Sequence, residues 1–133
     1  MTLRESTPLE PRDFAVTRAD LVRYAGASGD LNPIHWSDRV AVSVGLPGVV
    51  AHGMYTFALA SRAVAGWAGG TSRVVSVTAR FTKPVVVPDD DTGAAISVDG
   101  QVRTVADGLA TIELTVTQGE QKVLGMASAV VRC

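Results

Sequence analysis

The sequence predicts an α+β fold in which an antiparallel β-sheet wraps around one long apolar helix. Between residues 51 and 70 the only full charge is Arg62, and apolar side chains would run nearly all round the helix formed there. The half of the chain that follows is instead rich in β-branched residues, and turn signals divide it into strand-length segments. The helix and the sheet would each bury the surface that the other must hide.

The composition indicates a single domain over residues 1–133 and excludes several classes of function. Hydrophobic residues make up 47% of the chain and charged residues 19%, so disorder is not expected. Twelve Lys and Arg residues against thirteen Asp and Glu residues give no basic surface for nucleic acid or for an anionic membrane. Cys133 is the only cysteine and can close no internal disulfide. With no signal-peptide pattern at the first residues, this predicts a cytoplasmic protein.

The first quarter of the chain predicts a leader, a short strand and a helix. Two prolines within residues 1–12 favour a loose leader, followed by a short edge strand near residues 14–16. Thr17 and Asp20 have the spacing of a capping box, which predicts a helix start. The glycines within residues 26–29 would end that helix.

The rest of the chain predicts two further helices and then a sheet. A short helix is expected over residues 37–45, and the long apolar helix over 51–67. Its single charge, its serine and its histidine favour a helix buried in protein over a membrane span. Hairpin turns at Asp107-Gly108 and Gln118-Gly119 would link consecutive strands into an antiparallel meander. The predicted strands cover residues 74–81 with a bent continuation at 85–87, 94–105, 109–117 and 122–132.

A polar loop and a helix start carry the candidate chemistry. Asp30 and His35 lie at the two ends of one loop, which Asn32 and Pro33 stiffen. A carboxylate and an imidazole held in this way can share a water or a substrate proton, although turns also use Asp and Asn for structure alone. Gly53 lies where the apolar helix begins, so its N–H could stabilise an oxyanion; alternatively, the glycine simply gives room for packing.

Three segments resemble the MaoC-like family of (R)-specific enoyl-thioester hydratases and 3-hydroxyacyl-thioester dehydratases. Residues 24–35, which read YAGASGDLNPIH, resemble its hydratase 2 motif. Residues 51–54, AHGM, resemble its second signature, and residues 80–85 more weakly its third block. The likeness extends from about residue 17 to residue 131. It is nearest to the catalytic component of the actinobacterial (3R)-hydroxyacyl-carrier-protein dehydratases, and it implies a hot-dog fold.

The resemblance implies a hydro-lyase that interconverts a trans-2-enoyl thioester and a (3R)-3-hydroxyacyl thioester. Asp30 and His35 would activate the water, and the N–H of Gly53 would hold the thioester oxyanion. Asn32 and Pro33 would fix the loop. No metal or separate cofactor is expected. The substrate would be carried on coenzyme A or on the phosphopantetheine of an acyl-carrier protein.

Further positions are assigned to the substrate. Ser61 and Val64 match positions that line the acyl pocket in the family. Tyr55 and Phe57 would shorten that pocket unless they face the sheet, which their bulk favours. The cationic side chains of Arg80 and Lys83 would either bind phosphates of the carrier or lie on a solvent-exposed face of a strand. His52 is expected to be a satisfied structural histidine, and both tryptophans are expected to be packing residues.

The resemblance implies a dimer, either with an identical chain or with a sister hot-dog subunit, and pairing would cover the open edge that such a sheet leaves. Two other functions compete with the hydratase. A hot-dog thioesterase commonly uses a carboxylate on the central helix, and residues 51–70 contain none. A non-catalytic acyl-binding or assembly subunit would be expected to lack Asp30 or His35. The sequence leaves open the acyl chain length, the carrier, the pathway and which proton Asp30 and His35 each transfer.

Overall fold

The computed structural model describes residues 3–133, in which six strands and three α-helices are present. Short 3₁₀ helices cover Pro33–His35 and Thr71–Arg73. The helices are α1 (Arg18–Ser28), α2 (Asp38–Ser43) and α3 (Gly53–Ala68), and the strands are β1 (Pro8–Val16), β2 (Val74–Phe81), β3 (Ala94–Ala106), β4 (Leu109–Gln118), β5 (Gln121–Lys122) and β6 (Leu124–Arg132).

The strands form one antiparallel sheet in the order β1-β3-β4-β6-β2, with the short β5 beside β4. The predicted α+β class is confirmed, and so is the hairpin at Asp107-Gly108, where both residues have positive φ. The predicted meander is wrong for its first strand. β2 pairs with β6, for example through Val77 and Ala129, so the link from β2 to β3 crosses the molecule and is not a hairpin.

One side of α3 packs on the sheet. Leu59, Ala63 and Val64 are buried there, whereas Met54 and Arg62 are exposed on the opposite side. The expectation that the helix is wrapped on most sides is therefore wrong for the single chain.

Close packing fixes the carboxyl end of α3 against the sheet. The Trp67 ring lies 2.6 Å from where a Cβ on Gly100 would be, so β3 can cross at this point only with glycine. The Trp67 indole Nε1–H donates a 2.8 Å hydrogen bond to the carbonyl oxygen of Glu10. The expected packing role of this tryptophan is thereby confirmed.

The predicted loose leader is wrong over Pro8–Arg12, which belong to β1. Proline is tolerated there because Pro8 is the first residue of the strand and Pro11 lies within a register shift between Leu9 and Arg12. Leu3 and Leu9 are buried and anchor this end of the chain. The part of the leader prediction that concerns residues 1 and 2 lies outside the described residues.

The connection from β2 to β3 runs along the segment that precedes α3. The strand predicted over residues 85–87 is wrong: the structure has a single bridge there, between Val50 and Val86. The backbone nevertheless makes two more bonds, from Ala51 N–H to Val85 O (2.8 Å) and from Val87 N–H to Val49 O (3.0 Å). This connection therefore braces the amino end of α3. Within residues 3–133 no helix combines the length and the apolarity needed to cross a bilayer.

Candidate active site

The candidate site lies where the loop after α1 meets the amino end of α3. The capping box at Thr17 and Asp20 starts α1 as predicted, and Gly29 ends it with φ 77°. Asp30 follows directly. Its backbone N–H donates to the hydroxyl of Ser28, and its carboxylate accepts the N–H of Asn32 at 3.2 Å. The sequence thus produces a loop whose turns are closed by its own side chains.

Asn32 and Pro33 position His35. The side-chain oxygen of Asn32 accepts the N–H of Ile34 at 3.2 Å and caps the short 3₁₀ helix, and Pro33 occupies its first turn. The helix is tied to the segment before α3 because Val50 N–H donates to Ile34 O at 3.1 Å. His35 is consequently held at a fixed distance from α3.

The imidazole of His35 has one nitrogen bound and one available. The ring is only 7% exposed, and its Nδ1 lies 2.7 Å from the carbonyl oxygen of Val50. A carbonyl only accepts, so Nδ1 carries the proton and Nε2 keeps its lone pair. That Nε2 lies 3.9 Å from the Oδ2 of Asp30. A water at hydrogen-bonding distance from both atoms, about 2.8 Å from each, fits between them.

A cavity of about 400 Å³ adjoins His35 and the first residue of α3. Gly53 lines it, and its N–H belongs to the first turn of the helix, where backbone donors have no partner within the helix. The cap residue, His52, makes no side-chain bond to this turn. The amino end of the helix therefore places partial positive charge beside the cavity, where Gly53 lies. Other lining residues are Thr56, Phe81, Lys83 and Leu124.

His52 is more involved in the site than the sequence indicates. It is 2% exposed, and its ring stacks on that of His35 at 3.8 Å. Its Nε2 lies 3.2 Å from the backbone oxygen of Asp30, and the Tyr24 ring meets it edge-on at 4.8 Å. Burial is the main cause that lowers the pKa of His52 below its ordinary 6.5. The expectation that His52 is a satisfied structural histidine is wrong in one respect. Its buried Nδ1 has no hydrogen-bond partner among residues 3–133.

The four residues predicted for an acyl pocket, Tyr55, Phe57, Ser61 and Val64, do not line this cavity. Val64 is fully buried in the core, and the Ser61 hydroxyl donates to the backbone oxygen of Phe57, a bond within α3. Tyr55 packs edge-to-face on Tyr24 at 5.2 Å. In the single chain these side chains make their contacts elsewhere on α3, and their assignment to an acyl pocket stays a prediction.

The cavity is lined instead by residues for which the sequence predicted no pocket role. Thr56 is buried one turn into α3, and Phe81 ends β2 with its ring 3.1 Å from where a Cβ on Gly53 would lie. The third motif block, residues 80–85, contains Phe81 and was the sequence feature that could have identified it.

The two candidate cations separate in the structure. Lys83 and Arg80 are both on the surface side of β2 and the turn after it, but only Lys83 lines the cavity. Arg80 lies in β2 opposite Gly125 of β6. Lys83 thus lies at the cavity, whereas Arg80 lies on the exposed face of β2.

Asp30, His35 and His52 form the one cluster within residues 3–133 that offers three ligand-type atoms within 4.8 Å of one another. The two imidazole planes are stacked, only 21° apart, so their in-plane lone pairs run side by side and do not converge on one point. A tetrahedral metal site needs convergent lone pairs. We assign no metal to this cluster.

Known proteins are similar to this chain in sequence and in fold. The family model described as "MaoC like domain" matches residues 2–122. A solved MaoC-like dehydratase superposes with a TM-score of 0.93 at 32% identity, covering 98% of this chain and 40% of the other. The R-hydratase PhaJ1 from Pseudomonas aeruginosa superposes with a TM-score of 0.83 at 25% identity, covering 98% of this chain and 82% of the other.

Among curated proteins, 3-hydroxyacyl-thioester dehydratase X from Mycobacterium tuberculosis is 40% identical over 73 residues. That alignment covers 55% of this chain and 25% of the relative's length. The chain thus spans about a quarter of that curated relative.

One antiparallel sheet packed against the long helix α3 places the chain in the class of hot-dog proteins. The chain belongs to the MaoC-like dehydratase family.

Proposed function

We propose that this protein reversibly hydrates a trans-2-enoyl thioester to a (3R)-3-hydroxyacyl thioester. One observation carries the proposal: the Nε2 of His35 lies 3.9 Å from the Oδ2 of Asp30, and His35 and Gly53 line the same cavity. The names of the relatives, a 3-hydroxyacyl-thioester dehydratase and an R-hydratase, support the same reaction.

The geometry suits the proton balance of this reaction. In hydration, the oxygen of a water bound between Asp30 and His35 forms the bond to C3, and Nε2 of His35 accepts a proton from it. The imidazolium is stabilised by the Asp30 carboxylate and by the Val50 carbonyl, which accepts from Nδ1. Negative charge on the thioester oxygen is stabilised by the N–H of Gly53 until the pair returns the proton to C2. Dehydration reverses each step.

We propose that the carrier is coenzyme A or the phosphopantetheine of an acyl-carrier protein, and that the reaction uses no metal and no separate cofactor. The exposed ammonium of Lys83 at the cavity supports a phosphate contact. A cytoplasmic location is part of the proposal and is supported by the single cysteine, Cys133.

We also propose that the chain pairs with an identical chain or with a sister hot-dog subunit. β2 is the last strand of the sheet order, so within residues 3–133 its outer edge has no strand beside it. Val75 and Phe81 expose apolar surface on this strand, at 47% and 57% exposure. An exposed strand edge with apolar residues favours pairing.

The test follows the loss of the conjugated enoyl-thioester absorbance of crotonyl-CoA, and of crotonyl-carrier protein, with the purified chain. Wild type should consume both enoyl groups, or one of them, and yield the 3-hydroxyacyl product. Asp30→Asn and His35→Ala should each lower kcat by at least about 10²-fold, the range expected for loss of acid–base catalysis. Asp91→Asn is the matched control, because Asp91 is an exposed carboxylate of the distant turn before β3.

Two results would contradict the proposal. Release of free CoA without 3-hydroxybutyryl-CoA would identify a thioesterase. Consumption of neither substrate, at chain concentrations high enough for pairing, would leave the function of an acyl-binding subunit.

A further inference from the structure

His52 is a buried polar side chain that the proposed proton transfers do not use. It caps α3 at the point where the Asp30 loop, the His35 ring and the helix meet, and it is 2% exposed. Burying a polar ring costs free energy unless the contacts of the ring compensate for that cost. Its contacts are therefore informative about what it does.

Those contacts reach both members of the candidate pair. Nε2 lies 3.2 Å from the backbone oxygen of Asp30, and the ring centre lies 3.8 Å from that of His35, with the two planes nearly parallel. Because a carbonyl oxygen only accepts, Nε2 of His52 must carry the hydrogen. The other nitrogen, Nδ1, is then unprotonated, and it is buried with no partner among residues 3–133.

We infer that His52 is a positioning residue, a neutral Nε2–H imidazole that fixes the Asp30 backbone and the plane of the His35 ring so that their reactive atoms face each other. The assignment rests on the proposed function insofar as Asp30 and His35 are the reacting pair. It concerns a residue that neither transfers a proton nor touches substrate.

The surroundings keep His52 neutral while His35 changes charge. From the loop, the Asp30 carboxylate is the anion near the ring; from the 3₁₀ helix His35 faces it, and from α1 the Tyr24 ring packs edge-on. Burial opposes a proton on Nδ1, and a charged His35 opposes it further. If His52 were charged instead, two stacked imidazolium rings would repel each other and His35 would resist protonation.

The first measurement does not depend on activity. The sequence contains only two histidines, so ¹⁵N spectra of the labelled protein contain two imidazole spin systems, which His52→Gln assigns. We expect His52 to show the Nε2–H tautomer at pH 7 and to become charged only with a pKa below its ordinary 6.5. A Nδ1–H tautomer, or a charged ring at pH 7, would overturn the inference.

The second measurement compares two substitutions at the same core position. His52→Gln retains an N–H donor at the place of Nε2, whereas His52→Phe retains the flat ring and loses the donor. His52→Phe should lower kcat on the order of 10²-fold with little change in KM and should shift the pH profile of kcat, since misplaced groups cost rate at this scale. His52→Gln should recover most of that loss.

Thermal unfolding of both variants controls for folding. The two measurements also distinguish failure of the positioning role from failure of the proposed function. Equal kcat and pH profile for wild type and a folded His52→Phe would overturn the positioning role. An inactive wild type with the expected His52 tautomer would instead contradict the proposed hydratase and leave the geometry of His52 established.

Discussion

At the scale of single residues, Gly53 does two things at once. Its N–H is a free donor at the start of α3, and its missing side chain leaves space for the Phe81 ring, which would lie 3.1 Å from a Cβ at this position. A methyl group there would displace the ring by a few tenths of an ångström. The position therefore couples the proposed oxyanion donor to the shape of the cavity.

Gly53→Ala should lower kcat/KM on the order of tenfold while leaving the fold intact, because the shift it forces is small but lies beside the reacting atoms. The steady-state rate on the enoyl thioester measures this. Combining it with Phe81→Leu should restore part of the loss, since the shorter side chain can retreat. Gly26→Ala is the control, as nothing lies within 4 Å of a Cβ there. Full activity of Gly53→Ala would show that substrate does not use the space that a methyl group on residue 53 would fill.

The candidate pair and its loop were predictable at this scale, whereas the contacts of His52 were not. Asp30, Asn32 and His35 lie within six residues of one another, and turn chemistry acts over that distance. His52 reaches the same site from seventeen residues further along, through a stacking contact that depends on how two segments pack. The cavity residue Phe81 also comes from a distant segment, β2, although the third motif block contains it.

At the scale of elements, α1 determines where the loop begins. Its capping box closes the helix start, with Thr17 N–H bonded to the Asp20 carboxylate at 2.9 Å, and Asp30 follows its last turn. The bond from Thr17, reinforced by Arg23, holds the pKa of Asp20 below its ordinary 3.8. A carboxylate whose pKa is lower in the folded than in the unfolded chain stabilises the fold above the unfolded pKa and loses that contribution as the pH falls.

Asp20→Asn should therefore reduce the free energy of unfolding at pH 7, and the difference from wild type should shrink as the pH falls below about 3.8. Thr17→Ala should cost about 1 kcal/mol at pH 7 through loss of the cap. Urea unfolding followed by the fluorescence of the buried Trp67 measures both. Glu120→Gln, in the exposed turn after β4, should leave stability unchanged at either pH. A constant difference for Asp20→Asn across this range would show that its charge contributes nothing.

Element types were more predictable than element partners. Capping residues, hairpin glycines and β-branched runs act locally, so α1, α3 and the β3–β4 hairpin lie where they are predicted. The pairing of β2 with β6 joins residues about fifty positions apart, and no turn signal specifies it. The bulge that accommodates Pro11 in β1 depends in the same way on a partner strand that the local sequence does not reveal.

At the scale of the whole molecule, the single chain leaves two surfaces incomplete. The side of α3 away from the sheet is exposed around Met54 and Arg62, and the outer edge of β2 is uncovered within residues 3–133. Phe81 lies at the end of that edge and also lines the cavity. A partner chain beside β2 would therefore cover the edge and reach the mouth of the candidate site.

Val75→Lys should weaken pairing, because a charged side chain on an exposed strand edge disfavours a neighbouring strand. Light scattering across a dilution series should report a multiple of 13.8 kDa for wild type and a mass nearer to that of one chain for the variant. Val22→Lys is the matched control, since Val22 is also an exposed valine but lies on α1. If the partner completes the site, the specific activity of Val75→Lys should fall on dilution while that of Val22→Lys stays constant. Unchanged mass for Val75→Lys would move the interface away from β2, and a wild type that is monomeric at all concentrations would contradict pairing with an identical chain.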